Sequence, residues 1–254
     1  MLTAITRAVS PALNRCELTF LDRQTIDVAK ASAQHRCYRD CLVDLGLAVL
    51  TLPAEPDLPD SVFVEDPAIV VDEVAVILRM GAPSRRPESA SLASALAPYR
   101  PLRHLREPAT LEGGDVVRIG RRLFVGLSSR TNRDGIAQLT AALVPYGYTV
   151  TPVAMRDCLH LKSACCPLGD GRLLANRNWI DASAFSGLEI VDVAPTEPSA
   201  ADVLALGATV LIPAAFPATA AKLSALGACV LPLDVSELMK AEAGVTCMSI
   251  VFDG

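Results

Sequence analysis

From Asp22 to Leu45 the apolar residues Ile26, Ala29, Ala33, Cys37, Cys41 and Leu45 return every three to four positions, and Gly46 follows. This spacing predicts an amphipathic helix with the glycine as its C-terminal cap. Leu47 to Leu52 then reads as a strand stopped by Pro53. Beyond a Pro- and Asp-rich loop, an apolar stretch opens at Ser61-Val62-Phe63-Val64 and runs through Ile69 to Val71. Val74 to Leu78 predicts the next strand, and Gly81-Ala82-Pro83 leads to a helix over Pro87 to Leu96, whose proline suits a first turn.

The same order returns along the chain. A strand at Leu102 to Leu105 is followed by the loop Glu112-Gly113-Gly114-Asp115, strands at Val116 to Ile119 and Leu123 to Leu127, and a helix over Asn132 to Leu143. A third unit has a strand at Tyr148 to Val153, a loop to His160, a strand at Leu173 to Ala175 and a degenerate helix near Ala182. In the fourth, Leu188 to Leu211, the pattern predicts strands and a helix over Pro198 to Leu206, with no reactive residue at the loop. The fifth has a helix over Ala218 to Leu226, a strand at Val230 to Leu233 and, near the end, Cys247.

A period of roughly 40 to 50 residues lies in the range of repeat architectures. Strands interleaved with single helices predict α/β units, and five copies predict one domain, residues 1–254, closed into a ring with five-fold pseudosymmetry. The rival is an open doubly wound sheet. Neither a G-x-G-x-x-G nor a G-x-x-x-x-G-K segment supports it, and Gly113-Gly114 lies between two acids that repel phosphate.

Ring closure makes equivalent loops converge, so Asp66, Glu112, His160 and Cys247, far apart in sequence, become candidate neighbours. Each residue also has a plainer reading. Cys247 and His160 read alone as a core cysteine and a histidine at a strand edge; Asp60, Glu65, Asp66, Glu112 and Asp115 read as loop acids. The coincidence of their places in the repeat favours a site, and Asp66, set between apolar segments, calls for a partner. Arg85 and Arg130 precede helices, where a cation gains nothing from the dipole. They read as surface charges or as a pair that grips a carboxylate.

Of the 254 residues 51% are hydrophobic and the net charge is -5 without a Lys or Arg run, which predicts neither a nucleic-acid nor an anionic-membrane partner. Gly207, Pro213 and Pro217 cut the longest uncharged apolar stretch, so no membrane span is expected. Arg7, Arg15 and Glu17 break any signal-peptide pattern, and eight cysteines then read as reduced thiols in the cytoplasm. Three histidines and no C-x-x-C pair give no zinc spacing, and no metal or cofactor is expected.

The segments Asp60-Ser61-Val62-Phe63-Val64-Glu65-Asp66, Ser84-Arg85-Arg86, Ser129-Arg130-Thr131-Asn132, Leu159-His160-Leu161-Lys162 and Cys247-Met248-Ser249 together resemble the dimethylarginine dimethylaminohydrolase family, within the guanidino-modifying superfamily of arginine deiminases and amidinotransferases. The resemblance runs from Leu18 to Met248 and implies a five-bladed α/β propeller. It implies Cys247 as nucleophile, His160 as acid and base, and Glu112 as the group that orients and stabilises the cationic groups. It places Asp66 and Glu65 on the guanidinium, Arg85 and Arg130 on the α-carboxylate, Asp60 near the α-ammonium, Leu18 on a lid, and Ala241 at a backbone carbonyl contact. The implied partner is a small guanidino amino acid, without cofactor, and a homodimer is compatible. Deiminases carry an aspartate two residues after the histidine, where this chain has Lys162, which favours a methylated over a free arginine. The double glycine after Glu112 is typical of deiminases and leaves a deiminase-like hydrolase, or an inactive binding propeller, as alternatives.

Overall fold

The computed structural model describes all 254 residues, Met1–Gly254. The chain starts with β1 (Leu2–Arg7), α1 (Val28–Asp44) and β2 (Ala48–Leu52). It continues with β3 (Ala68–Val70), β4 (Ala75–Ile77), α2 (Glu88–Leu96) and β5 (Leu102–His104), and then β6 (Val116–Ile119), β7 (Arg122–Leu127), α3 (Arg133–Leu143) and β8 (Thr149–Ala154). Next come α4 (Leu161–Ala164), β9 (Cys165–Gly169), β10 (Arg172–Ala175), a 3-10 turn at Ala182–Phe185 and β11 (Glu189–Asp192). The last elements are β12 (Leu204–Leu206), β13 (Thr209–Pro213), α5 (Pro217–Ala225), β14 (Cys229–Leu233), α6 (Ser236–Met239) and β15 (Ile250–Asp253).

The strands form five three-stranded sheets, and the predicted α/β propeller is what the structure shows. In each blade the inner strand runs antiparallel to the middle one, and a crossover returns the chain to an outer strand parallel to it. A tight turn suffices for the antiparallel step, and Gly120 and Gly207, both at positive φ, make two of these turns. The parallel step needs a longer crossover, which is why a helix follows every middle strand but one. In the exception the 3-10 turn at Ala182–Phe185 does the helix's work, as its weak periodicity predicts.

Blade one is assembled from both ends of the chain. β15 pairs with β1 antiparallel, from Leu2 opposite Asp253 to Ile5 opposite Ile250, so the last strand is the inner strand of the first blade. Residues from all five inner strands, among them Ala68, Val116, Cys166, Leu204 and Ile250, line one axial cavity of about 370 Å³, which demonstrates ring closure.

Local signals set the helix ends. Asp27 accepts the Lys30 N–H and Asn132 accepts the Gly135 N–H, each as an N-cap, and Gly46 follows α1 at φ 86°. The first helix therefore begins at Val28 rather than near Asp22, because the capping aspartate outranks the weak periodicity before it. A larger departure concerns Pro198 to Leu206. No helix forms there; turns lead into β12, whose Leu204 to Leu206 pair with Leu211 to Thr209. The apolar spacing is compatible with both forms, and pairing with β13 decides for the strand.

Phe252 of β15 is buried, sits edge-on to Tyr99 at 5.2 Å between centroids, and lies beneath the Arg100 guanidinium. Phe252→Ala is expected to lower stability by about 3 to 5 kcal/mol in urea unfolding. A loss below about 1 kcal/mol would show that the C-terminal strand does not hold the ring closed.

Candidate active site

At one end of the axis, the loops preceding the inner strands bring their side chains together. Asp66 precedes β3, Glu112 precedes β6, His160 precedes β9 and Cys247 precedes β15. His160, Asp66 and Cys247 line one small cavity with Asp60, Arg85 and Arg130, and Ala241 is part of its wall. Ring geometry is the physical reason for this convergence: strands of similar length start at similar heights, so the residues just before them meet on the axis.

The loops are also tied to one another through the backbone. Gly113 N–H donates to the Asp66 carbonyl at 2.9 Å, and Glu65 N–H to the Cys247 carbonyl at 3.3 Å. The two glycines after Glu112 are needed for close approach. A Cβ on Gly113 would stand 2.0 Å from the Glu65 carbonyl oxygen, and one on Gly114 would stand 2.5 Å from His160 Nδ1. The double glycine is thus explained by packing, whichever guanidine the site takes.

His160 and Glu112 form a fully buried pair, with Nε2 and Oε2 2.9 Å apart. Burial by itself lowers the imidazolium pKa, but Asp66, the Glu112 hydrogen bond and Asp115 outweigh it and raise His160 to about 9. Burial pushes Glu112 up, and His160 with the two arginines reverses this and holds it below the usual carboxylate range. Glu112 Oε1 accepts the Ala82 N–H, and Arg130 Nη1 lies 3.5 Å from that same oxygen. Asp115 accepts from Ser128, from Thr131 and from the Leu161 N–H, so it fixes the backbone next to His160.

Asp66 accepts Arg85 Nη1 at 2.8 Å and the Gly114 N–H at 3.0 Å. Arg85 also donates to both oxygens of Glu88 and to the Asp60 carbonyl. Its guanidinium is therefore largely committed to the protein, and Arg130 is the freer of the two. Asp66, Glu112 and His160 each bring a ligand atom within 4.8 Å of the others. With both carboxylates already met by arginines and by backbone N–H groups, the grouping is one for proton transfer and cation binding.

Glu65 is placed differently from Asp66. It accepts from Lys162 and from Thr246 Oγ1, and both Glu65 and Lys162 line the axial cavity behind the site. They form a buried floor beneath Cys247. Lys162 thus faces away from the small cavity and puts no group at the edge where deiminases carry their aspartate.

Residues 17–21 cover the opening. Asp60 accepts the Glu17 N–H, Glu242 accepts the N–H groups of Thr19, Phe20 and Leu21, and Arg130 donates to Thr19 Oγ1. Leu18, within this strap, packs against the core cluster that contains Cys247. Glu242 stands at φ 60° next to Ala241, a conformation with no sequence signature, and its role as a latch was not visible beforehand.

The fourth repeat corrects another expectation, because its loop does carry a reactive group. Asp202 precedes β12 and is buried; it accepts the Thr246 N–H at 3.0 Å, and its Oδ2 lies 3.3 Å from the Thr246 hydroxyl that Glu65 shares and 3.9 Å from Cys247 Sγ. An acid flanked by Ala200-Ala201 and Val203-Leu204 is the signal that marked Asp66, but the expected helix there concealed it.

A model of the family described as arginine deiminase matches residues 52–165. An N(G),N(G)-dimethylarginine dimethylaminohydrolase of Streptomyces coelicolor is 39% identical over 249 residues, covering 97% of this chain and 95% of the relative. One from Pseudomonas aeruginosa is 34% identical over 228 residues, covering 89% and 90%. The chain belongs to the dimethylarginine dimethylaminohydrolase family. A cysteine-to-serine variant of the Pseudomonas aeruginosa member, solved with citrulline, matches the structure at TM-score 0.94 and 32% identity, over 99% of this chain and all of that one. A cyanobacterial arginine dihydrolase domain, 17% identical at TM-score 0.85, shares the fold.

The raised imidazole is directly measurable. Because negative groups stabilise the protonated form, its contribution to stability is complete below about 6.5, the ordinary value, and disappears as pH rises through about 9. A histidine ring titration by NMR should show this midpoint, and Glu112→Gln should move it down by about one unit or more. An unmoved midpoint would refute Glu112 as the partner that keeps His160 charged.

Proposed function

We propose that this chain hydrolyses Nω-methylated arginine, asymmetric dimethylarginine or the monomethyl form, to citrulline and dimethylamine or methylamine. The supporting observation is that a thiol and a protonated imidazole line one pocket in which carboxylates outnumber cations. Seven buried carboxyl groups, Asp60, Glu65, Asp66, Glu88, Glu112, Asp115 and Asp202, surround Arg85, Arg130, His160 and Lys162. A zwitterionic amino acid with a cationic side chain supplies the missing positive charge.

Cys247 Sγ attacks the guanidinium carbon, and the substrate's charge favours the thiolate. As the C–N bond to the methylated nitrogen breaks, His160 gives that nitrogen its proton, and an S-alkylthiouronium remains on the enzyme. The imidazole, now neutral, takes a proton from water as the water oxygen attacks the same carbon. Cleavage of the C–S bond returns the thiol and leaves citrulline. Glu112 holds the imidazole through Nε2 in both steps, and Asp66 faces the guanidinium nitrogens. Arg130 and Asp60 suit the α-carboxylate and α-ammonium, while Arg85, committed to Asp66 and Glu88, contributes mainly by holding Asp66. Because Lys162 is turned to Glu65, no acceptor at that position requires N–H groups on the far nitrogen. Methyl groups there forfeit no hydrogen bond. A reducing, cytoplasmic setting suits a chain whose eight cysteines are all unbridged.

The match to the arginine deiminase family model favours a second reading, hydrolysis of free arginine. Incubation with asymmetric dimethylarginine and, separately, with arginine decides between them. Citrulline with dimethylamine from the first, and little product from the second, is expected; turnover of arginine alone would overturn the reading in favour of a deiminase. Cys247→Ser should cut turnover by about a thousandfold or more with unchanged thermal unfolding. Arg130→Ala should raise KM by about 10- to 100-fold, the loss of one charge-assisted contact. Turnover retained in the serine variant would exclude Cys247 as nucleophile.

A further inference from the structure

Asp202 is a buried carboxylate that the reaction steps leave unused, and its Oδ2 lies 3.9 Å from the Cys247 sulfur. It reaches the sulfur from the fifth blade, while Asp66, Glu112 and His160 come from the second, third and fourth. Its two oxygens flank the catalytic loop: Oδ1 takes the Thr246 N–H, and Oδ2 lies 3.3 Å from the Thr246 hydroxyl, which is shared with Glu65 at 2.9 Å, and 3.9 Å from Cys247 Sγ, within the longer reach of a sulfur donor. Gly244 makes this approach possible, since a Cβ there would stand 2.1 Å from the Asp202 carboxyl carbon. The carboxylate is thus built into the catalytic loop at short range.

We propose that Asp202 is a positioning residue for Cys247: it holds the loop that presents the sulfur and sets a negative charge beside it, so that it, and not loop order alone, keeps the thiol protonated in the free protein. This rests on Cys247 being the nucleophile of the proposed reaction. A thiol next to a carboxylate keeps its proton, because a thiolate there would repel it. In the proposed reaction the guanidinium of the substrate offsets that repulsion.

The surroundings of the sulfur agree in direction. Burial pushes the Cys247 thiol well up, and Asp202, then Glu65 and Asp66, push it further, while the Gly244 N–H acts the other way. Tyr38 of α1 is near and stays neutral, since burial raises its phenol. Of the nearby cations, Lys162 is paired with Glu65 and His160 with Glu112, so each offsets Asp202 only in part. Arg85 and Arg130 are directed to Asp66, Glu88 and Glu112, and Asp60, Glu17 and Glu242, also in the pocket wall, add negative charge. Burial raises Asp202 itself, and the Thr246 N–H, Lys162 and the Thr246 hydroxyl oppose this.

The test is alkylation of Cys247 by iodoacetamide in the free full-length chain from neutral to alkaline pH. Peptide mass spectrometry reads the modification at Cys247 alone, apart from the exposed Cys37 and Cys229. Asp202→Asn, equal in size but uncharged, should lower the thiol midpoint by about one unit and speed alkylation at neutral pH by roughly tenfold. Thr246→Ala loosens the same loop but keeps the carboxylate, and should leave the midpoint in place. A folded Asp202→Asn with an unchanged midpoint overturns the proposal. So does a fall in Thr246→Ala as large as that in Asp202→Asn, because loop order would then be the cause. If Asp202→Asn does not fold, Gly244→Ala, whose methyl displaces the carboxylate, replaces it with the same expectation and the same refuting result. The labelling needs no turnover. A shifted midpoint without methylarginine hydrolysis would sustain the Asp202 assignment for another cation, and hydrolysis without a shift would remove only the assignment.

Discussion

Seven carboxyl groups buried at one end of a ring of sheets form the constraint on which the rest of this structure depends. Removing an ion from water costs several kcal/mol even after relaxation, so each must be met by a cation or by donors fixed in place. Arg85 meets Asp66 and Glu88, Lys162 meets Glu65, His160 meets Glu112, and Thr246 meets Asp202. The compensation is incomplete. Burial still raises Glu65 and Glu88 to about 7 and Asp115 to about 6, as expected where negative groups exceed their partners. A centre under this tension accepts a cation readily, and it holds its imidazole protonated without any external help.

The propeller supplies what such a cluster needs. Loops from different blades approach the axis with glycines where backbone must come close, as at Gly113, Gly114 and Gly244, and each closes a contact that a methyl group would block. The inner strands are short and apolar, and they leave the axial cavity behind the site separated from it by the Glu65 and Lys162 pair. Blade one joins the two ends of the chain, so the loop that carries Cys247 is held on one side by β15 and on the other by α1, where the Tyr38 hydroxyl meets Ser249 at 2.7 Å. Ordering of the Cys247 loop therefore depends on ring closure as much as on its immediate neighbours.

Much of this was legible in the chain. Strand and loop order returned with a regular period, and the coincidence of Asp66, Glu112, His160 and Cys247 at equivalent loops pointed to groups that the structure brings to one end of the axis. The errors came from local ambiguity. Pro198 to Leu206 has apolar spacing that both a helix and a turn-strand segment satisfy, and the wrong choice hid Asp202. Arg85 and Arg130 looked alike in sequence, each ahead of a helix, yet Arg85 is surrounded by carboxylates and Arg130 remains available. Lys162 was singled out by type, and only its partner Glu65 shows that it points to the floor rather than to the pocket.

The sequence by itself determined the alternation of strands and helices, the number of repeats and the chemical types available at each loop, because periodicity and turn residues act over a few neighbours. The tertiary structure decided which of these groups face one another, which are neutralised and which remain free. Those properties depend on distances across blades: Glu112 to His160 spans 48 residues, and Asp202 to Cys247 spans 45. Protonation follows from the same distances. His160 is held protonated by carboxylates from other blades, and Cys247 resists ionisation because it is buried and such carboxylates add to the effect; no pattern within a single repeat encodes that proximity.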